Sequence, residues 1–123
     1  MTPLSGLSVL LLEDEYLIAL DAEDILTSLG VKQIQIVNTL TGAAEAAENG
    51  GVDLAILDLN INGEMSLDVA QLFRQSGTPI VFASGYELRD RISAELENGG
   101  VYLRKPYTSD SLEDAVHTAL GNR

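Results

Sequence analysis

The middle of the chain reads Gly50-Gly51-Val52-Asp53-Leu54-Ala55-Ile56-Leu57-Asp58-Leu59-Asn60. An unbroken apolar run from Leu54 to Leu57 stands between a double glycine and an acidic residue. With no polar residue alternating through it, the run predicts a strand buried on both faces, Asp53 to Leu57, leading into Asp58. Such a strand needs helices on either side, so the neighbouring segments should show the helical period.

They do. Upstream, Leu40, Ala43, Ala44 and Ala47 form the narrow apolar stripe of a small helix that ends at Asn49. Downstream, a loop with Asn62 and Gly63 precedes a helix over Leu67 to Gln75, and Gly77 and Pro79 punctuate the chain before a strand over Ile80 to Ala83. Further out, Leu7 to Leu12 reads as a buried strand and Glu15 to Leu29 as a helix with Ile18, Ala22, Ile25 and Leu29 on its inner face. Gln33 to Val37 alternates as a strand exposed on one side. Leu88 to Asn98 reads as a fourth helix closed by Gly99 and Gly100, Val101 to Leu103 as a fifth strand, and Ser109 to Leu120 as a final helix. Ser109 and Asp110 are its candidate caps, and Leu112, Ala115, Val116 and Ala119 its buried face. Five strand and helix pairs in strict alternation predict an α/β fold with a parallel sheet and right-handed crossovers.

A chain of 123 residues suits one domain, residues 1–123. Hydrophobic residues at 46% and charged residues at 21% allow a packed core and argue against disorder. There is no cysteine, which excludes disulfides, thiolate metal sites and a cysteine nucleophile. The net charge of −12 opposes binding to a nucleic-acid backbone. Apolar runs fall far short of the roughly 20 residues that span a bilayer, and the first basic residue is Lys32, which suits neither a membrane protein nor a signal peptide. A cytoplasmic protein is the expectation.

In doubly wound sheets the ligand site lies beyond the carboxyl ends of the strands. Here those ends carry Glu13 and Asp14, Asp58, Ser84 and Lys105. Three carboxylates converging in a partly dry cleft repel one another and call for a cation. Mg²⁺ suits them, because it takes carboxylate oxygens and completes its shell with waters and phosphate oxygens. With Mg²⁺ and the Lys105 ammonium the site is close to neutral, which favours the approach of a phosphoryl group.

Taken together, Glu13-Asp14, Asp58, Ser84 and Tyr102-Leu103-Arg104-Lys105-Pro106 make the chain resemble response-regulator receiver domains over its whole length. The resemblance implies a flavodoxin-like sheet in the order 2-1-3-4-5. It further implies that Asp58 is the phosphoryl-accepting nucleophile, and that Asp14, Asp58 and the Asn60 carbonyl hold Mg²⁺, with Glu13 acting through a metal-bound water. Lys105 and Ser84 would contact phosphoryl oxygens, a cis bond before Pro106 would turn Lys105 inward, and Ser84 and Tyr102 would form the switch. Pro79-Ile80-Val81-Phe82-Ala83-Ser84-Gly85-Tyr86 is similar to the motif of the FAT GUY subgroup of single-domain regulators, with Ile80 in place of Phe and Ser84 in place of Thr. That subgroup is linked to general stress response signalling. Asn62 stands where receivers usually carry proline, which leaves the shape of that loop open.

The implied partners are a histidine kinase or a histidine phosphotransfer protein upstream. Downstream, a protein would dock on the face of the fourth helix, fifth strand and final helix, where Arg89, Arg91 and Arg104 form a cationic patch. The role is that of a signalling module and not a turnover enzyme, either as a stand-alone regulator or as the receiver part of a larger one. A flavin carrier of similar architecture is disfavoured because Glu13-Asp14-Glu15 occupies the loop that would have to cradle a phosphate. A phosphatase of the haloacid dehalogenase type is disfavoured because its nucleophile would follow the first strand. His117, four residues after Glu113, reads as a member of a helix-surface pair.

Overall fold

The apolar runs become strands because each can bury both of its faces. The computed structural model describes residues 4–85, Ile92, Leu96 and residues 99–121. After a short 3₁₀ turn, Leu4–Gly6, the elements are β1 (Ser8–Leu12), α1 (Tyr16–Ser28), β2 (Gln33–Val37), α2 (Leu40–Asn49), β3 (Leu54–Asp58), α3 (Leu67–Gln75), β4 (Ile80–Ser84), β5 (Val101–Arg104) and α4 (Ser109–Ala119). The expected helix from Leu88 to Asn98 lies outside the described residues apart from Ile92 and Leu96.

The strands form one parallel sheet in the order β2-β1-β3-β4-β5, the flavodoxin-like order. Every residue of β3 and β4 is buried, as central strands covered on both sides should be. β2, at the edge, has no fully buried residue, in keeping with its polar alternation. Side chains of successive strand residues point to opposite faces. Leu10, Leu12, Ala55, Leu57 and Phe82 therefore pack with α2, α3 and Ile92. Val9, Leu11, Leu54, Ile56, Val81 and Leu103 pack on the other face with α1 and α4.

Two local expectations need correction. The inner face of α1 is Ala19, Ala22 and Leu26, one position round from the stripe at Ile18, Ala22, Ile25 and Leu29. Small alanines admit the helix close to the sheet, which leaves Ile18 and Ile25 on the flank of a groove of about 310 Å³ shared with Lys105, Pro106 and Tyr107. α4 is capped by Thr108, and not by Ser109 or Asp110. The Thr108 hydroxyl accepts from the Ser111 amide at 3.1 Å, and the Ser111 hydroxyl accepts from the Thr108 amide at 2.8 Å.

The loop after β3 is a miniature antiparallel hairpin, Asn60–Ile61 against Glu64–Met65. Its turn places Asn62 at φ 52° and Gly63 at φ 91°. Asn-Gly is the dipeptide that best tolerates positive φ at both central positions of such a turn.

Candidate functional site

Parallel register brings the strand ends level. Leu12 lies beside Leu57, Asp58 beside Ala83, and Ser84 beside Arg104. Glu13 and Asp14, one step past β1, therefore meet Asp58 at the end of β3, and their oxygens lie within 4.8 Å of one another. Lys105, one step past β5, donates its backbone amide to the Ser84 carbonyl at 2.8 Å. The bond between Lys105 and Pro106 is cis. The Lys105 side chain is directed inward, with Nζ at 2.9 Å from Asp58 Oδ2 and 3.0 Å from Glu13 Oε1.

Both carboxylates are nearly dry, Glu13 at 3% and Asp58 at 6% exposure. Burial pushes the Glu13 carboxyl up to about 7. Hydrogen bonds from Lys105 and the Glu15 amide oppose that rise, and the Asp58 charge adds to it. For Lys105, burial works against the ammonium, but hydrogen bonds to Asp58 and Glu13 and their charges outweigh it, so its pKa is raised to about 12. The lysine is thus the resident counter-charge of a pair of buried acids. Tyr107, two residues beyond Lys105, is pushed up to about 12, by burial first and then by the charge of Glu13.

The donor set fits a divalent hard cation. Three carboxylates offer oxygens close enough to share one ion, and hard oxygen ligands are what Mg²⁺ takes. The acidic triad of receiver Mg²⁺ sites is therefore present. Asn60 sits at the rim, with its amide donating to Asp58 Oδ1 at 3.2 Å and its side-chain oxygen accepting from the Gly63 amide at 2.9 Å.

Ser84 is buried at the end of β4, but its hydroxyl does not engage Asp58 or Lys105. It donates to the Gly85 carbonyl at 2.8 Å. The Tyr102 hydroxyl reaches the same carbonyl at 3.0 Å and the Ser84 carbonyl at 3.3 Å. Gly85 is thus a shared acceptor between the two residues of the expected switch. Arg104 is exposed, whereas Arg89 and Arg91 lie outside the described residues. His117 Nε2 stands 3.7 Å from Glu113 on the surface of α4, remote from these groups.

Two contributors were not singled out from sequence. Ser66 is fully buried, and its hydroxyl donates to the Asp58 carbonyl at 2.7 Å while its amide donates to the Leu59 carbonyl at 2.9 Å. It begins α3 without making a side-chain cap bond, since the hydroxyl is committed to Asp58. Its sequence signal is only that of a serine before a helix. The second is the Asn62 amide, which donates to Asp14 Oδ2 at 3.0 Å.

The family model for the response regulator receiver domain matches residues 9–117. The solution structure of SdrG from Sphingomonas melonis Fr1 is 36% identical, with a TM-score of 0.80, and the match covers 98% of this chain and 99% of that one. A response regulator receiver protein from Sinorhizobium medicae WSM419 is 28% identical with a TM-score of 0.84, over 97% and 98% of the two chains. Among curated proteins, the phyllosphere-induced regulator PhyR of Methylorubrum extorquens is 29% identical over 115 residues. That match covers 91% of this chain, which spans less than half of PhyR, 43%.

Proposed function

We propose that this chain, which belongs to the response regulator receiver domain family, accepts a phosphoryl group on Asp58 from a phosphohistidine and signals through protein binding or onward transfer. The donor is a histidine kinase or a histidine phosphotransfer protein. The observation that carries the reading is the pairing of the Asp58 carboxylate with Lys105 Nζ at 2.9 Å, beside two further carboxylates suited to a divalent ion.

In the proposed reaction a carboxylate oxygen of Asp58 attacks phosphorus in line. The new P–O bond forms as the P–N bond to the donor imidazole breaks, and that nitrogen keeps the electron pair. Lys105 then follows the transferred charge, exchanging a carboxylate contact for a phosphoryl oxygen. Mg²⁺, held by Asp14, Asp58 and the Asn60 carbonyl with Glu13 behind a water, would neutralise charge on the phosphoryl group. A donor protein has to rest on the rim of this cleft, where Tyr16 and Leu17 are exposed at 73% and 78%.

A phosphoryl group adds strong acceptors, so the Ser84 hydroxyl can leave the Gly85 carbonyl for a phosphoryl oxygen. Tyr102 hydrogen-bonds the same carbonyl, and its ring packs with the core, so the event would reach the surface around β5. This is where we place the downstream partner. Couplings of about 1–3 kcal/mol would change partner affinity by roughly 5- to 150-fold.

The motif from Pro79 to Tyr86 supports membership of the FAT GUY subgroup and a role in general stress signalling in the cytoplasm. Similarity to SdrG, at 36% identity, supports the reading of a stand-alone regulator over residues 1–123, and similarity to PhyR, of which the chain spans 43%, supports a second reading, the receiver portion of a longer regulator. Among the described residues no helix is long and apolar enough to cross a membrane.

Backbone amide shifts recorded with and without beryllofluoride test the proposal. Changes should appear around Asp58 and extend through residues 84–104 in the wild type, and should be absent in Asp58→Asn. Shifts that persist in Asp58→Asn, or none at all, would overturn it.

A further inference from the structure

The loop beyond Asp58 contains a contact that a proline at position 62 could not make. Among the described residues, Asn62 is the non-glycine residue with positive φ, 52°. The turn it shares with Gly63 is closed by the Asn60 side chain, which accepts from the Gly63 amide at 2.9 Å. Below the turn, the Ser66 hydroxyl and amide tie the returning strand to the carbonyls of Asp58 and Leu59. The hairpin is thus anchored at both ends, and the left-handed conformation aims the Asn62 amide across to the β1–α1 loop. There it donates to Asp14 Oδ2 at 3.0 Å, 48 residues away in sequence.

We propose that Asn62 is a positioning residue for the metal site, acting through its backbone amide to fix the Asp14 carboxylate in the orientation that shares an ion with Glu13 and Asp58. The inference deepens the proposed function and rests on its Mg²⁺ site. Asp14 is only half-buried, so without a tether its carboxylate would rotate between solvent and site. A hydrogen bond to a ligating carboxylate orients it before the ion arrives, and loss of such outer contacts typically weakens metal binding by about 10- to 100-fold. Asp14 has a carboxylate oxygen within 4.8 Å of those of Glu13 and Asp58, and a carboxylate has lone pairs for both a hydrogen bond and an ion, so tether and ion are compatible. The Asn62 side chain is exposed and is not the acting group. The turn conformation is, because it decides where the N–H points.

Three variants of the full chain, titrated calorimetrically with Mg²⁺, separate these elements. Asn62→Gly keeps both the amide and the positive φ, and its Kd should stay within about twofold of wild type. Asn62→Pro removes the N–H and fixes φ near −65°, and its Kd should rise about tenfold or more. Asn62→Val keeps the N–H but opposes the left-handed turn, and should fall between the two. The initial rate of labelling by acetyl phosphate should drop in Asn62→Pro at limiting Mg²⁺ and recover at saturating Mg²⁺. The inference is overturned if Asn62→Pro binds Mg²⁺ as tightly as Asn62→Gly, or if Asn62→Gly is weakened as much as Asn62→Pro. Should Asn62→Pro fail to fold, Asn62→Val binding as tightly as Asn62→Gly overturns it. Wild-type protein that binds no Mg²⁺ would instead sink the metal-site reading itself, and this inference with it.

Discussion

Replacing Lys105 by methionine would keep most of the side-chain stem and delete the charge that faces both buried acids. In the wild type, Nζ lies 3.0 Å from Glu13 and 2.9 Å from Asp58, and the two carboxylates have oxygens no more than 4.8 Å apart. At that separation, and with an effective dielectric constant of about 20, two unit charges repel by about 3.5 kcal/mol. The protein can relieve part of this by protonating Glu13, whose carboxyl already stands at about 7 against an ordinary 4.5. A raised carboxyl pKa means that the folded state holds the proton more tightly than the unfolded chain. The stability it gives is full below 4.5 and is lost as pH rises through 7. Removing Lys105 raises Glu13 further, so the deficit of Lys105→Met should be smaller at pH 6 than at pH 8, where we expect about 2–4 kcal/mol. Urea unfolding at the two pH values measures it. Saturating Mg²⁺ at pH 8 should restore much of the loss, since an ion that binds only the folded state stabilises it. A variant as stable as wild type at pH 8, or one whose deficit is larger at pH 6, would refute the electrostatic account.

Ser66→Ala deletes the buried donor to the Asp58 carbonyl, and unfolding experiments should show a loss of about 1–3 kcal/mol. An unchanged unfolding midpoint would mean that the contact is incidental. Mg²⁺ affinity should rise with pH by up to about tenfold per unit below pH 7 and level off above it, because the ion competes with the Glu13 proton. Calorimetric titrations that give the same affinity at pH 6 and pH 8 would contradict this.

Much of the architecture was legible because β1, β3 and β4 are built on short apolar runs with glycine or proline nearby, a pattern that suits a doubly covered strand. The sheet order was not readable from the residues, since alternation alone does not say which strand lies beside which, and it came from the family resemblance. The rotation of α1 by one position was hidden because Ala19 and Ile18 are both apolar, and packing distance, not hydrophobicity, selects the alanine. At the site, Glu13, Asp14, Asp58 and Lys105 stood out because charged residues at strand ends are conspicuous, and the structure brings them together. Ser84 is at the expected place but bonded to Gly85, a choice made by one rotatable hydroxyl that sequence does not encode. Ser66 and the Asn62 amide were missed for a related reason. One is a buried hydroxyl that looks like an ordinary helix cap, and the other is a backbone group. The Asn62-Gly63 pair did carry a hairpin signal, but a two-residue strand on either side is too short to show a period.

The most direct measurement of the central claim is chemical mapping of the phosphoryl-accepting residue. After incubation with acetyl phosphate and Mg²⁺, borohydride reduction converts an aspartyl phosphate to homoserine, which peptide mass spectrometry can locate. Homoserine should appear at position 58 alone, and not in Asp58→Asn treated in the same way. Homoserine at Asp14 or elsewhere with residue 58 unmodified, or wild-type protein left unmodified by both acetyl phosphate and every histidine kinase of its host, would contradict it.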